Sequence, residues 1–310
     1  MRPACDAAGV LSDEATVGVV GGRFEAFNKN LIVSQPCDLP DFNVSFIDLD
    51  FALRQYEDPK VKVTEKSLML NGKTRVPRSA DRVPLKRPEI DTNEIGDVDD
   101  LLAVIDEIYP FTEGNPARPW SQGARFDGTT VTATNSIMLI QAELGADSGF
   151  EGVTLSRAAL SYIRLRRASL KAWAVCDRGL LLDFDDGAWA LAAKMSMEMP
   201  DQAVMLLQSI DDWDGLVKVD DAYRNAILRA GDWSEDYVVV RPEHIYAGRK
   251  VTDHNEPAVT NLGESEEATF EARALSTVIT RADRIAFDRF PNPVPFITAR
   301  GSKGLIAGRT

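Results

Sequence analysis

Cysteine and histidine are scarce in this chain. Its 310 residues include three cysteines, Cys5, Cys37 and Cys176, and two histidines, His244 and His254. The cysteines are far apart and odd in number, so they form no metal-ligand spacing and fit a reducing cytosol. With only two histidines, neither zinc binding nor histidine-based catalysis is expected. We therefore predict neither a metal site nor a cofactor.

Long hydrophobic runs are missing as well. No run approaches the length of a transmembrane helix, and no positive N-terminal region precedes a hydrophobic core, so we predict a cytoplasmic protein without a secretion signal. With 44% apolar and 27% charged residues, the composition is typical of a soluble globular chain with room for two or three domains. The formal net charge is −13.

One basic stretch stands out against this acidic balance. Residues 153–171 carry four arginines and one lysine and no acid. As a helix over 156–166, the stretch places Arg157 and Arg164 on one face with the small Ser161 between them. Such a face lets a phosphate backbone come close, which favours a localised anionic partner. The alternative is an ordinary solvated face of an amphipathic helix.

Short sequence similarities recur at long intervals. Ala159-Leu160 recurs as Ala52-Leu53 and as Ala274-Leu275, each early in a predicted helix. A period of roughly 110 residues predicts similar domains rather than a solenoid of short units. We predict three domains, at residues 1–93, 94–208 and 209–310.

The predicted elements form an α+β pattern. A unit of one strand, one helix and a three-strand meander occurs six times, which implies helices on one face of antiparallel sheets. The predicted helices cover residues 2–11, 48–56, 97–109, 156–166, 219–230 and 273–282. Met199-Pro200-Asp201 is predicted to be a loop before the third domain.

Several motifs, in this order, resemble those of the bacterial-type DNA sliding clamp, the β-subunit family of DNA polymerase III, in a phage version. They are the loop 117–120, the strand end Thr132–Ser136, the basic stretch that begins at Val153, the loop at Met199–Asp201 and the ending Gly304–Arg309. In the family, the corresponding features are a basic-aromatic loop, a strand ending in Ala-Thr-Asp-Gly, a basic helix, a Phe-Pro-Asp loop and a C-terminal strand. The resemblance implies the DNA-clamp fold.

This resemblance also implies a function without catalysis. Two three-domain chains would close head to tail into a homodimeric ring, whose inner helices contact double-stranded DNA through phosphates and without reading sequence. The implied DNA-binding residues are Arg54, Arg118, Trp120, Arg157, Arg164, Arg167, Arg224, Arg229, Arg273 and Arg281. For Trp120, the residues alone leave two roles open, a hydrophobic loop anchor and a stacking platform for DNA.

The resemblance further implies a docking cleft. DNA polymerase and clamp loader would bind there through short apolar peptides with leucine and phenylalanine anchors. The implied cleft residues are Thr134, Ser136, Ile137, Met138, Leu139, Pro200, Val204, Met205, Leu305, Ile306 and Ala307. The alternative is that these residues are ordinary strand core.

The chain departs from the family pattern in three places. Asn135 replaces the usual aspartate, and Gly308 stands where proline is common. The helix predicted at 97–109 carries five acids, Asp97, Asp99, Asp100, Asp106 and Glu107. It fits beside DNA only if those acids point aside.

Two other classes of function stay open at this point. One is a phage structural or assembly protein made of repeated α+β domains. The other is a metal-dependent nucleic-acid enzyme that uses the carboxylates of Asp48 and Asp50, or of Asp183, Asp185 and Asp186, although acids at helix caps and turns are more often structural. The sequence at 301–304 lacks the full Walker pattern and is predicted to be a hairpin turn.

Overall fold

The computed structural model describes residues 16–28, 30–56, 59–79, 85–89, 95–113, 117–195, 199–210, 213, 216–234, 236–248, 255–257 and 267–309. Within these residues the chain consists of short antiparallel strands and six α-helices. None of the helices in this part of the chain is long and apolar enough to cross a membrane.

The elements follow one another in a regular order. The helices are α1 (Phe46–Leu53), α2 (Val98–Ile108), α3 (Arg157–Leu165), α4 (Asp201–Gln208), α5 (Asp221–Trp233) and α6 (Ala272–Ile279). The strands are β1 (Thr16–Val20), β2 (Arg23–Phe27), β3 (Leu31–Pro36), β4 (Phe42–Ser45), β5 (Val61–Val63), β6 (Ser67–Leu70), β7 (Thr74–Pro77), β8 (Ile95–Gly96), β9 (Gly123–Asp127), β10 (Thr130–Thr134), β11 (Met138–Glu143), β12 (Val153–Ser156), β13 (Leu170–Cys176), β14 (Gly179–Phe184), β15 (Trp189–Met195), β16 (Val217–Lys218), β17 (Tyr237–Val240), β18 (His244–Ala247), β19 (Asn255–Pro257), β20 (Ala268–Glu271), β21 (Ala282–Ile285), β22 (Val294–Thr298) and β23 (Lys303–Ile306).

This order confirms the predicted repeat. One strand, one helix and three strands follow each other in β4-α1-β5-β6-β7, and the same succession begins again at β8, β12, β16 and β20. Strands β1 to β3 are the meander of a sixth copy. The helix predicted at 2–11 lies outside the described residues. Helices therefore alternate with antiparallel meanders along the chain, which is the α+β class that the sequence predicts.

Three local predictions are wrong. The sequence predicts Asp48 as the N-cap of the first described helix, but α1 begins at Phe46 with Ser45 at its N-cap, and Asp48 lies in its first turn. Helix α4, which begins at the last residue of the loop predicted at Met199–Asp201, was not predicted. On α5, the sequence predicts Ala222, Ala226 and Ile227 on the buried side. Ala226 and Ile227 are buried, but Ala222 is exposed and its neighbour Tyr223 is buried in its place.

The chain divides into two compact units, and neither is continuous in sequence. Unit 1 comprises Met1–Ile105, Phe126–Thr129 and Gly145–Ser196, and unit 2 comprises Asp106–Arg125, Thr130–Leu144 and Met197–Thr310. The three-domain division by sequence stays a prediction.

In unit 1, one antiparallel sheet runs in the order β4-β1-β2-β3-β15-β14-β13-β8, and β5-β6-β7 form a second, three-stranded sheet. In unit 2, the order is β10-β11-β23-β22-β21-β16, beside a sheet of β19-β18-β17-β20. In each unit, a leucine from a connecting segment packs on a central strand pair. Leu85 packs against the cluster of Leu181, Trp189 and Leu191 in unit 1, and Leu207 packs with Leu139 and Leu305 in unit 2.

Candidate functional site: an apolar hollow and a basic helix

Unit 2 contains an apolar hollow with a volume of about 180 Å³. Its lining residues are Trp120, Thr134, Ser136, Ile137, Met138, Leu139, Pro200, Ala203, Leu206, Pro293, Leu305 and Ala307. None of these carries a charge. The volume is below the roughly 300–1,000 Å³ of small-molecule sites, so the hollow suits a few apolar side chains rather than a large ligand.

A braced turn between β10 and β11 forms one rim of the hollow. Ser136 has a positive φ of 75°. The Thr134 hydroxyl donates to the carbonyl of Met138 at 2.8 Å and accepts from the amide of Ser136 at 3.1 Å. The Asn135 side-chain oxygen accepts from the amides of Ile137 and Met138 at 3.1 and 2.7 Å. These bonds need an acceptor but no charge, so asparagine can serve where the family has aspartate.

The floor of the hollow is a cross-strand pair. Leu139 on β11 lies opposite Leu305 on β23, and both are buried against Leu207 of α4. Antiparallel neighbours of this kind share one face of a sheet, so the two leucines present a continuous apolar surface. Ala203 packs against the same cluster.

Helix α4 supplies the wall that the sequence assigned to Val204 and Met205. In the structure the lining residues from this segment are Pro200, Ala203 and Leu206. Met205 points away and is 63% exposed, whereas Leu206 is 45% exposed at the edge of the hollow. The difference arises because the segment is helical, so positions three apart share a face.

The C-terminal wall is formed by alternate residues. Leu305 and Ala307 line the hollow, but Ile306 between them is fully buried in the core and does not. The alternation of side chains along a strand explains this. The amide of Ala307 donates to the carbonyl of Ile137 at 2.8 Å, which joins this wall to the turn.

Gly308 is required by a close aromatic neighbour. A Cβ atom at this position would lie 2.4 Å from the ring of Phe290. The proline that is common in the family would therefore collide with this ring. At the residue after Gly308, the amide of Arg309 donates to the carbonyl of Thr269 at 2.7 Å. The Arg309 guanidinium donates to the Tyr237 hydroxyl at 2.9 Å.

Trp120 lines the hollow together with the cleft residues. Its contact with DNA stays a prediction. It lies in a 3₁₀ turn, Pro119–Ser121, whose Ser121 hydroxyl donates to the carbonyl of Arg118 at 2.7 Å. The Arg118 guanidinium is 3.4 Å from the carbonyl of Asn135 and 3.9 Å from the carboxylate of Glu113. This loop is thus attached to the braced turn.

The basic stretch forms α3, as predicted. Ser156 is the N-cap, and its hydroxyl accepts from the amide of Ala159 at 3.1 Å. Leu160 and Ile163 are fully buried. Arg157 and Arg164 are half-buried on the opposite side, and Arg167 is exposed in the 3₁₀ turn that follows.

Arg166 has a structural position in the same stretch. Its guanidinium binds the carboxylate of Asp186 at 2.8 Å and lies 4.7 Å from the centre of the Phe184 ring. Next to it, burial raises the pKa of Tyr162 to about 12, against the opposing effect of the Arg166 charge. Tyr162 is therefore neutral at physiological pH and adds no charge to the buried side of α3.

The N-cap of α3 gives a prediction about stability. We expect Ser156→Ala to lower the free energy of unfolding by about 1 kcal/mol, because the amide of Ala159 loses its acceptor. The midpoint of urea unfolding measures this. The control is Ser161→Ala on the same helix, which should be neutral or slightly stabilising, since alanine has the higher helix propensity. Equal midpoints for the two variants would remove Ser156 from the capping role.

The other predicted DNA-binding arginines lie in different settings. Arg54, with a side chain 77% exposed, pairs with Asp50 at 2.7 Å one turn earlier on α1. Arg229 and Arg273 are exposed, and Arg281 donates to the carbonyl of Thr277 at 3.2 Å.

Arg224 is used inside unit 2. Its guanidinium donates to the carbonyls of Ile279 and Ala282, the second at 3.0 Å, and so fastens α5 to the end of α6. Backbone carbonyls at a helix C-terminus favour a cation. This contact gives Arg224 a structural role within unit 2, and its contact with DNA stays a prediction.

Several acids of α2 are turned towards the protein. The carbonyl and side chain of Asp97 accept from the amides of Leu101 and Asp100, which caps the helix start. Asp100 accepts from the amide of Gly145 at 2.6 Å.

Glu107, near the C-terminal end of α2, is buried. Its carboxylate accepts from the hydroxyls of Thr298 and Ser302, the second at 2.8 Å, and lies 3.3 Å from Arg300. Asp97, Asp100 and Glu107 are therefore engaged within the chain.

Three of the carboxylates considered as metal ligands, Asp50, Asp183 and Asp186, pair with arginines. Asp183 binds Arg87 through two bonds, of 3.2 and 2.6 Å, and Asp50 binds Arg54. No group of three or more potential ligands that could hold a metal occurs among the residues described. Gly301, with a φ of 87°, and Ser302 lie in the turn between β22 and β23, as predicted, whereas Lys303 and Gly304 already belong to β23.

Comparisons with known proteins identify the fold. No family model and no curated protein matches the sequence. Solved structures do match over nearly the whole length, and they define the class: the chain has the sliding-clamp fold. One is a DNA polymerase sliding clamp from Caulobacter crescentus, with a TM-score of 0.68, 16% identity and coverage of 100% of this chain and 98% of that chain.

Two further matches are clamps with ligands. A sliding clamp (DNA polymerase III subunit beta) from Bartonella birtlesii bound to griselimycin has a TM-score of 0.73, 13% identity and coverage of 100% and 98%. A Helicobacter pylori beta clamp bound to a DNA ligase peptide has a TM-score of 0.69, 12% identity and coverage of 99% and 96%.

Proposed function

We propose that this chain is a DNA sliding clamp, a processivity factor that encircles duplex DNA and tethers DNA polymerase without catalysing a reaction. The sliding-clamp fold carries the proposal, because it extends over the whole chain. The hollow and the basic helix support it, since they supply a peptide site and a phosphate-binding face. A phage origin and a place in the cytoplasm of a bacterial host stay predictions from the sequence.

The proposed DNA contacts are electrostatic. Arg157, Arg164 and Arg167 form the principal set, because they lie on or just after the outward face of α3. Arg54, Arg118, Arg229, Arg273 and Arg281 are secondary members. Contacts of this kind bind phosphates without reading bases, which suits a protein that must slide. The acidic remainder of the chain is compatible with this arrangement because charges on other surfaces are screened within about 8–10 Å at physiological salt.

The hollow is the proposed docking site for polymerase and clamp-loader peptides. Its eight predicted members, Thr134, Ser136, Ile137, Met138, Leu139, Pro200, Leu305 and Ala307, lie around one cavity with Trp120, Ala203, Leu206 and Pro293. An uncharged concave surface with a rigid rim suits an extended peptide that inserts one or two apolar anchors. The Helicobacter pylori clamp bound to a DNA ligase peptide supports this type of partner.

A topological experiment tests the function. The chain is loaded onto nicked circular DNA by a clamp loader, and the protein retained on the circle is measured before and after the DNA is linearised. We expect retention on the circle and loss from the linear form, because a ring slides off free ends. Primer extension with a polymerase should give longer products when the chain is present. Equal retention on both DNA forms would contradict encirclement.

We predict a homodimer in solution. Two copies of a three-domain chain complete a ring by closed head-to-tail contacts. Light scattering or native mass spectrometry should give twice the 34.1 kDa of one chain at micromolar concentration. A mass of 34.1 kDa alone under these conditions would contradict the prediction.

A further inference from the structure

Unit 1 contains a second cavity, which is larger and charged. Its volume is about 660 Å³, within the range of roughly 300–1,000 Å³ that small-molecule sites occupy. The lining residues are Arg23, Leu85, Arg87, Lys171, Ala172, Asp183, Phe184, Gly187, Ala188 and Trp189. None of them belongs to the hollow or to the proposed DNA-binding set.

The Arg23 guanidinium is fixed in this cavity by neutral acceptors. Its Nε donates to the hydroxyl of Ser34 at 2.7 Å, and one terminal nitrogen donates to the carbonyls of Ser34 and Gly187 at 3.1 and 3.0 Å. Among the residues described, no carboxylate lies within ion-pair distance of it. The positive charge is therefore held in place and not neutralised, which lowers the entropy lost when an anion binds.

Lys171 adds a second charge of the same kind. It is exposed on β13, and it has no carboxylate partner within the described part of the chain. The remaining charges of the cavity cancel, because Arg87 and Asp183 bind each other through two bonds. Asp186, in the turn that carries Gly187, binds Arg166 at 2.8 Å.

The walls of the cavity are apolar and anchored. Phe184 on β14 and Trp189 on β15 line it and are almost fully buried. Leu85 is held by its amide, which donates to both carboxylate oxygens of Glu25 at 3.1 and 3.2 Å. The connecting segment thus forms a fixed side wall.

We propose that this cavity binds a small phosphate monoester of about the size of a mononucleotide. A phosphate monoester carries a charge of about −1.5 to −2 at pH 7, which matches two uncompensated cations better than a single carboxylate does. A guanidinium and an ammonium together supply the donors that phosphate oxygens accept. The apolar walls leave room for an organic group attached to the phosphate. The site is independent of the proposed clamp function.

Calorimetric titration of the full chain with adenosine monophosphate tests the proposal. We expect saturable binding of the nucleotide and no binding of adenosine, which lacks the phosphate. Lys171→Ala should weaken binding about 10- to 100-fold, the usual effect of losing one charged hydrogen bond, and Lys171→Glu should abolish it. Lys171→Arg should bind close to wild type.

The matched control is Lys62→Glu, on an exposed strand position of β5 outside the cavity. It makes the same change in net charge and should leave binding unchanged. Binding that is absent in wild type, or equal in Lys171→Glu and wild type, would overturn the site. Sodium phosphate should bind more weakly than the nucleotide, because it leaves the apolar walls uncovered. Equal affinity of the two would overturn the proposed size of the ligand.

Discussion

Leu206→Asp is expected to weaken the binding of a short apolar peptide by about 100-fold or more, because it places a charge at the edge of an uncharged hollow where a peptide anchor must be desolvated. The probe is a polymerase C-terminal peptide with leucine and phenylalanine anchors, measured by fluorescence anisotropy. Leu206 is 45% exposed in the free chain, so the substitution should leave the fold intact. An unchanged melting temperature checks this.

The control for this experiment is the adjacent Met205→Asp. Met205 is 63% exposed and does not line the hollow, so the same chemical change one residue away should leave affinity within a few-fold of wild type. If Met205→Asp abolished binding and Leu206→Asp did not, the peptide site would lie on the other side of α4. Deleting residues 305–310 would be a poorer test, since it removes part of β23 and its core residues.

Joint replacement of Arg157 and Arg164 by alanine is expected to weaken DNA binding and to flatten its salt dependence. If each side chain neutralises one phosphate, the slope of log affinity against log salt should fall by about 1.8. Affinity for duplexes of different sequence should fall equally, because the contacts are to the backbone. Titrations at several salt concentrations, on duplexes of two unrelated sequences, measure both effects.

A second double variant separates this effect from a change in overall charge. Arg178→Ala with Arg284→Ala removes the same charge from two exposed positions in a turn and on a strand. We expect its salt slope to equal that of wild type. Equal slopes for both double variants would place the DNA on a surface other than the outward face of α3.

Much of the fold could be predicted because the periodic signals were strong. Leu101 and Ile105 of α2 repeat at helical spacing and are buried, and the end of β12 carries Ser156 as a helix cap. Helix α4 was missed because Met199-Pro200-Asp201 suggested a loop. A proline at the start of a helix is also common, so Pro200 in the sequence was compatible with a helix that begins at Asp201.

The hollow could be predicted only in part. The turn at 134–138 and the ending at 305–307 are continuous segments, so a resemblance in sequence could locate them. The wall from α4 depends on which residues of a helix face inward. Val204 and Met205 were predicted, whereas their neighbours Ala203 and Leu206 line the hollow. The role of Arg224 could not be foreseen, because it depends on carbonyls more than fifty positions away.

No pattern in the sequence predicts the cavity in unit 1. Its cations come from three segments, around Arg23, Arg87 and Lys171, and no segment by itself carries a recognisable motif. They meet only because β3 pairs with β15 and the connecting segment at 85–87 lies over that pair. Long-range pairing of this kind cannot be derived from local periodicity.

The pairing of β3 with β15 also has a consequence for synthesis of the chain on the ribosome. Val33 lies opposite Ala190, which follows it by 157 positions. At about 5–20 residues per second, synthesis of the intervening residues takes on the order of ten to thirty seconds. Until then, the edge of β3 that will pair with β15 has no partner strand. During that time a strand with the buried Leu31 and Val33 presents unpaired backbone groups, the condition under which nascent chains associate with one another. The late arrival of β15 therefore sets the interval in which this protein is most vulnerable to aggregation.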